Sequence, residues 1–417
     1  MNKKTKNKKP SVQKTASVIG LGYMGLPTAC LLTQAGYKVI GIDINKKKVD
    51  ALKRGSFKST EPGMEELFKK AYDSGNFSFS TEMQPADIFV IAVPTPAQNK
   101  RMDLNFVISA TINLVDVLEK DNLVIVESTI APNTCKKIIK PILDQKNIPY
   151  YLAHCPERAI PGNTLYELTH NDRIIGGIDE KSEKMTESVY QKFVKGQIFT
   201  TDITTAEAVK LLENSYRDVN IAFANEIAKL SKKININPWR AIELANRHPR
   251  VDILKPGPGV GGHCIPVDPW FLVQDDSRAK FIRLARNVND SMPEHIVKYI
   301  EQLSKKQKPR IVVLGVAYKS NVDDARETPA TEIIKLMKQR GWEVTVADPY
   351  VKEYNYPILK IEEALVNADG MVLITDHDNY KKFDFSKYKL DFVFDPRNAF
   401  KKEQFNKDTK LVTFGEI

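Results

Sequence analysis

The run Val18-Ile19-Gly20-Leu21-Gly22-Tyr23-Met24-Gly25 constrains the fold of this chain more than any other segment. Glycines at G-x-G-x-x-G spacing need a strand before them and a helix after. The first makes a tight turn, the second admits a phosphate to the backbone, and the third lets the helix pack on the strand. Both neighbours are present in the pattern, an apolar run over residues 16–19 and a helical stretch over 26–34. A second strand over 37–43 ends in Asp43, 18 residues beyond Gly25. A carboxylate there binds a ribose diol and repels a 2′-phosphate, so the unit predicts NAD rather than NADP. Lys46, Lys47 and Lys48 follow at once and pull weakly the other way.

Further strands are predicted where apolar runs suit a parallel strand buried on both faces, at 87–93 and 123–129. Ligands in open α/β sheets lie beyond the carboxyl ends of strands, which brings Thr95 and Thr129 to the cofactor or substrate; capping a turn or helix is the plainer role for either hydroxyl. A strand over 150–153 leads to His154-Cys155-Pro156-Glu157-Arg158-Ala159, a charged turn that is either used or solvated.

Near residue 200 the composition changes. Thr204-Thr205-Ala206-Glu207 reads as an N-cap followed by an acid, opening a long helix to about Ser231. Lys210, Asn214 and Arg217 share one face, and Val209, Leu212, Tyr216, Val219 and Phe223 form an apolar stripe. The wide apolar arc Ile221, Ala222, Phe223, Ala224, Ile227 and Ala228 predicts a seam between two copies of the chain.

Downstream, Gly257-Pro258-Gly259-Val260-Gly261-Gly262-His263-Cys264 places a thiol in a loop whose glycines allow close approach, with Asp268 four residues on. A Cys there can trap an aldehyde covalently, which lets a dehydrogenase carry an alcohol past the aldehyde to the acid. The alternative is a small buried hydrophobe. A helix over 279–303 is followed by strands at 310–319, 343–347, 370–375 and 392–395, and Gly341 closes a helix that begins near Thr328. This second alternating segment lacks G-x-G-x-x-G, so it is expected to hold a different nucleotide-containing ligand, with Lys319 and Arg326 available to anions.

Several function classes are disfavoured. The net charge of +10 includes six lysines within residues 1–14, leaving +4 for the rest, so the basic excess reads as a solvated, disordered tail rather than a nucleic-acid surface. No signal-peptide core and no apolar run of membrane-spanning length occur, which predicts a cytoplasmic protein without membrane insertion. Cys30, Cys135, Cys155 and Cys264 are scattered without C-x-x-C spacing, and the pairs His154-Cys155 and His263-Cys264 lack a third ligand. Neither disulfides nor zinc are expected.

Over nearly the whole chain the sequence resembles the UDP-glucose/GDP-mannose dehydrogenases. The resemblance is carried by His154-Cys155-Pro156-Glu157-Arg158-Ala159-Ile160-Pro161-Gly162, Asn246-Arg247-His248-Pro249-Arg250-Val251 and Pro256-Gly257-Pro258-Gly259-Val260-Gly261-Gly262-His263-Cys264. It implies an α/β chain with two Rossmann-like doubly wound domains joined by a long central helix and a helical dimerisation segment. The expected division is a tail at 1–14, an NAD-binding domain at 15–200, a central segment with the Cys loop at 201–305 and a UDP-binding domain at 306–417. It implies Cys264 as nucleophile and Lys210 as proton donor or acceptor, with Asn214 and Asp268 beside them and Asp268 or Glu157 positioning a hydrolytic water. Beyond Gly20, Gly22 and Gly25, it implies NAD contacts at Tyr23, Met24, Asp43, Lys48, Thr95, Thr129 and Arg326. It implies sugar-nucleotide contacts at Arg158, Ala159, Lys210, Asn214, Arg217, His248, Arg250, Gly261, Tyr318 and Lys319. The implied reaction is a four-electron oxidation at C6 of UDP-N-acetyl-D-mannosamine by a homodimer. UDP-N-acetylglucosamine or UDP-glucose oxidation, a two-electron hydroxy-acid dehydrogenase and a non-catalytic NAD-binding redox sensor are the alternatives. The UDP-glucose branch has a second glutamate four residues after the one matching Glu157; Pro161 stands here, so that branch's water activation does not transfer intact.

Overall fold

The computed structural model describes residues 13–416. The expected basic tail lies almost entirely outside the described residues. The chain forms two compact units that divide after Leu211.

In the first unit eight strands form one sheet: β1 (Thr15–Ile19), β2 (Lys38–Ile42), β3 (Phe77–Ser80), β4 (Ile88–Ile91), β5 (Leu123–Val126), β6 (Tyr151–His154), β7 (Arg173–Gly177) and β8 (Ile198–Asp202). Their order is β8-β7-β6-β5-β4-β1-β2-β3. The sheet is parallel from β3 to β6; β7 pairs antiparallel with β6, and β8 runs parallel to β7. Successive side chains of a strand point to opposite faces, and here both faces are covered. Val18, Val90 and Ile125 pack in one core, while Ile19, Ile91 and Val126 pack in the other. That two-sided burial explains the uninterrupted apolar runs of β4 and β5.

The second unit holds a wholly parallel six-stranded sheet: β9 (Arg310–Leu314), β10 (Glu343–Ala347), β11 (Ile358–Leu359), β12 (Gly370–Leu373), β13 (Phe392–Phe394) and β14 (Lys410–Val412). The order β11-β10-β9-β12-β13-β14 reverses about β9, as in a doubly wound fold. Ile311 and Val313 face one core and Val312 and Leu314 the other. Gly341 follows the helix Pro329–Gln339 at φ +74°, the left-handed closure expected for it.

Three details depart from the sequence expectations. The long helix spans Ile203–Leu230, and its cap is Asp202 rather than Thr204. The Asp202 carboxylate accepts from the backbone N–H groups of Thr204 and Thr205 at 3.0 and 3.1 Å, while Glu207 instead accepts from the Asn133 and Cys135 backbone N–H groups. The single helix over 279–303 is two, Lys280–Asp290 and Met292–Leu303, because Pro293 starts a new helix and cannot continue the old one. Finally, the stretch of the long helix in the second unit turns polar groups inward. Asn214, Ser215, Asp218 and Asn225 are buried, whereas Leu212, Tyr216 and Phe223 of the apolar stripe are exposed; of the arc expected to form a seam, Ala222, Ala224 and Ala228 are buried within the protomer and Phe223 is exposed.

Candidate active site in two units

The first unit builds a dinucleotide cradle at the carboxyl ends of β1 and β2. Gly20 sits at φ +92°, where a Cβ would come within 2.7 Å of the Ala92 carbonyl oxygen, and a Cβ on Gly25 would fall 1.8 Å from the Gly20 oxygen. Those two glycines are required by the protein's own packing. Gly22 differs, since a Cβ there meets no protein atom within 4 Å. Its glycine suits a close-approaching ligand phosphate at the start of helix Gly25–Gln34. Asp43 ends β2, accepts from the backbone N–H of Leu21 at 3.2 Å and pairs with Lys48 at 3.2 Å. Ile44 beside it is 82% exposed, a large apolar surface next to that acid. These features fit NAD.

Around this cradle the structure gathers several of the expected residues. Lys210 donates to the Thr129 hydroxyl at 2.6 Å, just past the end of β5. The Lys210 charge, after burial, helps push His154 down to about 3. Tyr23 turns its hydroxyl to Glu61 and to Thr164 at 2.7 Å. Glu61 also accepts from the backbone N–H groups of Gly162 and Thr164 at 2.9 and 2.7 Å. It therefore ties the glycine-rich turn to the loop that carries Arg158 and Ala159. Burial alone would raise the Glu61 carboxyl; these donors outweigh it and hold the group below its ordinary value.

Glu157 is held by its own loop and by a buried arginine. It was expected among the catalytic groups as one of two candidates to position water. One of its oxygens accepts from the backbone N–H groups of Arg158 and Ala159 at 2.6 and 2.7 Å, and the other pairs with Arg173 at 2.6 Å. Both partners are buried. A carboxylate held in this way shapes its loop. Beneath it lies Glu127, which accepts from Tyr190 at 2.5 Å and Thr28 at 3.1 Å. Burial is the main reason that Glu127 is pushed up to about 7, against the opposing pull of Arg173.

In the second unit the Cys264 loop is tied down from several sides. Gly259 and Gly262 adopt φ +135° and +86°, and a Cβ on Gly262 would press to 2.9 Å from the Tyr318 ring. The Gly262 backbone N–H donates to the Arg326 carbonyl at 3.2 Å. Cys264 itself is exposed, unlike the other three cysteines. Its carbonyl accepts from the Asp268 N–H at 2.8 Å, so the two residues stand one helical turn apart. Asn214 donates to the buried Asp268 carboxylate at 2.7 Å. Arg326 is paired with Asp324 at 2.7 Å, which tempers its expected availability to anions. Arg217, His248 and Arg250 are exposed, and among the described residues no hydrogen bond or ion pair joins them to the Cys264 loop.

Sequence reading missed the supports. Asn220 clasps the chain at Asp252 and Leu254 at 2.7 and 2.9 Å, and Asn225 accepts from the Gly257 N–H at 2.8 Å. Asn225 is held in turn by Asn289, which bonds Asp218, the buried partner of Arg286. The signal was an excess of Asn on one helix, which spacing alone does not connect to a loop 30 residues away. No group of three or more residues able to hold a metal ion occurs among the described residues.

Comparison with known proteins assigns both units to one family. Residues 14–194 match the UDP-glucose/GDP-mannose dehydrogenase NAD binding domain, 204–291 its central domain and 312–402 its UDP binding domain. The chain belongs to the UDP-glucose/GDP-mannose dehydrogenase family. It is 48% identical, over 97% of both chains, to the UDP-N-acetyl-D-mannosamine dehydrogenase of Methanocaldococcus jannaschii. It superposes on the UDP-D-ManNAc dehydrogenase of Pyrococcus horikoshii with a TM-score of 0.90 at 36% identity, covering 96% of this chain and 99% of that one. The corresponding Staphylococcus aureus UDP-N-acetyl-mannosamine dehydrogenase gives 0.88 at 40% identity, covering 96% and 99%. As a member of the family this protein is an NAD-dependent UDP-sugar 6-dehydrogenase, an oxidoreductase. No helix among the described residues is long and apolar enough to cross a membrane.

Proposed function

We propose that this enzyme oxidises the C6 alcohol of UDP-N-acetyl-D-mannosamine to the uronate, taking four electrons through a covalent bond to Cys264. The observation that carries the covalent route is the exposed Cys264 one turn from a buried Asp268 that Asn214 orients. The sugar assignment is supported by the nearly full-length identity to relatives named for that substrate.

When bound, NAD accepts a hydride from C6 in each of two rounds, so two NAD and one water are consumed per uronate and two NADH are formed. The chain's residues do the rest. In the first round a base takes the hydroxyl proton and an aldehyde results. The Cys264 sulfur adds to that carbonyl to give a thiohemiacetal, and the second oxidation converts it to a thioester. Lys210 supplies an ammonium for the developing oxyanion, a kind of interaction whose loss costs about 2.7–4 kcal/mol per donor. Asp268 directs the water that cleaves the thioester and frees the thiol; Glu157 is the alternative candidate, its charge paired with Arg173.

The remaining expected contacts keep their roles in this reading. Gly20, Gly22, Tyr23, Met24, Gly25, Asp43, Lys48, Thr95, Thr129 and Arg326 serve NAD. Arg158, Ala159, Arg217, His248, Arg250, Gly261, Tyr318 and Lys319 serve the nucleotide sugar, together with Lys210 and Asn214. We also propose the domain limits 15–200, 201–305 and 306–417, a cytoplasmic location and a homodimer. The dimer is supported by the outward Leu212, Tyr216 and Phe223, 53%, 66% and 52% exposed on a helix whose polar side is buried.

The test is a comparison of kcat/KM for UDP-N-acetyl-D-mannosamine, UDP-N-acetylglucosamine and UDP-glucose. The first is expected to exceed the others by at least tenfold; a preference for either alternative removes the sugar assignment and leaves the chemistry standing.

A further inference from the structure

In the first unit Asp43 ends the second strand of a dinucleotide fold and serves the cradle. Its counterpart in the second unit, Asp348 after β10, is consumed differently. One Asp348 oxygen accepts from the backbone N–H groups of Val316 and Ala317 at 2.7 and 3.1 Å, and the other from Tyr350 and Val351 at 2.8 and 2.9 Å. The His377 ring adds another contact, Nε2 to Asp348 Oδ2 at 3.0 Å. No lone pair remains for a ribose. The acid has become an anchor for the turn that follows β9.

His377 extends that anchor. Its Nδ1 accepts the backbone N–H of Asn321 at 2.9 Å, so the ring proton resides on Nε2 and is donated to Asp348. The ring is fully buried, and its neighbours in sequence bind the same turn. Thr375 donates to the Ala317 carbonyl at 2.5 Å, Ser320 to Asp376 at 2.8 Å, and the Asn321 amide exchanges bonds with Asp378 at 2.8 and 3.0 Å. Four consecutive residues thus grip residues 317–321. Tyr318 and Lys319 lie in the middle of the gripped turn, with the Tyr318 ring against Gly262 of the Cys264 loop.

We propose that His377 is a positioning residue for the nucleotide. By accepting the Asn321 backbone N–H at Nδ1 it holds the 316–321 turn in the shape in which Tyr318 and Lys319 meet the UDP portion of the substrate, while its bond to Asp348 serves stability. This rests on the reading that Tyr318 and Lys319 contact the sugar nucleotide.

The test exploits the two ring nitrogens. In His377→Asn the amide oxygen falls near the Nδ1 position and can still accept from Asn321, while the donor to Asp348 is lost. In His377→Gln the amide nitrogen falls near Nε2 and keeps Asp348, while the acceptor for Asn321 is lost. In the full-length enzyme, UDP affinity by calorimetry, NAD affinity and the urea midpoint are measured for both. His377→Asn is expected to keep UDP affinity within about threefold of wild type despite a lower midpoint. His377→Gln is expected to weaken UDP at least tenfold with the higher midpoint of the two, and NAD affinity is unchanged in both. A purely structural histidine gives UDP affinity in the same order as the midpoints; that order, an equal loss in both variants, or no loss in either overturns the proposal. Lys319→Ala tests the underlying reading separately. Unchanged UDP affinity in that variant removes the nucleotide contact and the premise with it, whereas weakened UDP there together with unchanged affinity in His377→Gln overturns the positioning role alone.

Discussion

The proposed roles of Asp43 and Lys48 predict a measurable balance between the two nicotinamide cofactors. Their ion pair sets a lysine beside the carboxylate that, in the proposed reading, repels a 2′-phosphate. Asp43→Ala is expected to lower kcat/KM for NAD and raise it for NADP, shifting their ratio by roughly ten to a hundredfold, the scale of one hydrogen bond to a charged group. Steady-state kinetics with both cofactors checks this; an unchanged ratio sinks the assignment. Glu127 gives a pH signature. Its folded pKa of about 7 lies above its ordinary 4.5, so folding is favoured while it carries its proton. That contribution is complete below 4.5 and is lost as pH rises through 7. Replacing Glu127 with Gln removes the titration, so the variant should gain stability relative to wild type between pH 4.5 and 7 and hold that gain above. Urea midpoints at pH 5 and pH 8 decide it. The Glu157–Arg173 pair is a separate case: Arg173→Ala strands a buried carboxylate and should cost about 3–5 kcal/mol in urea unfolding.

At the scale of elements, the glycine turn separates packing from binding. Gly25→Ala drives a Cβ into the Gly20 carbonyl and should lower the melting temperature sharply. Gly22→Ala meets no protein atom and should melt like wild type while losing NAD affinity at least tenfold. Thermal unfolding and cofactor titration on the two variants separate these outcomes, and a Gly22→Ala enzyme with native NAD affinity would remove the phosphate role. The turn was legible from sequence because local geometry enforces its spacing. The same holds for β4 and β5, whose apolar runs record burial on two faces, whereas β3, β7, β8, β11 and β14 lack such runs and were not read from the sequence. Helix limits were less legible. Asp202 took the cap from Thr204 because it can receive two backbone donors, and Pro293 broke a helix that periodicity had joined. Glu61, Asn220, Asn225 and His377 left no local signature, since each acts on backbone far away in the chain.

For the whole molecule, the long helix carries the strongest statement about assembly. Its Asp218 and Asn225 are buried against Arg286, Asn289 and the approach to the Cys264 loop, while Leu212, Tyr216 and Phe223 are exposed. The sequence revealed the stripe but not its direction, because periodicity identifies a face without saying what covers it. Leu212→Glu with Phe223→Glu should convert a dimer to monomer in sedimentation velocity, and monomeric wild-type protein would contradict the seam. In the proposed reaction all of this architecture serves one thiol, which carries the sugar between two oxidations. Counting NADH and uronate formed per UDP-N-acetyl-D-mannosamine, for wild type and for Cys264→Ala, tests that role most directly. Two NADH per uronate are expected from wild type and no uronate from the variant; uronate made by Cys264→Ala at the wild-type rate would contradict the covalent route.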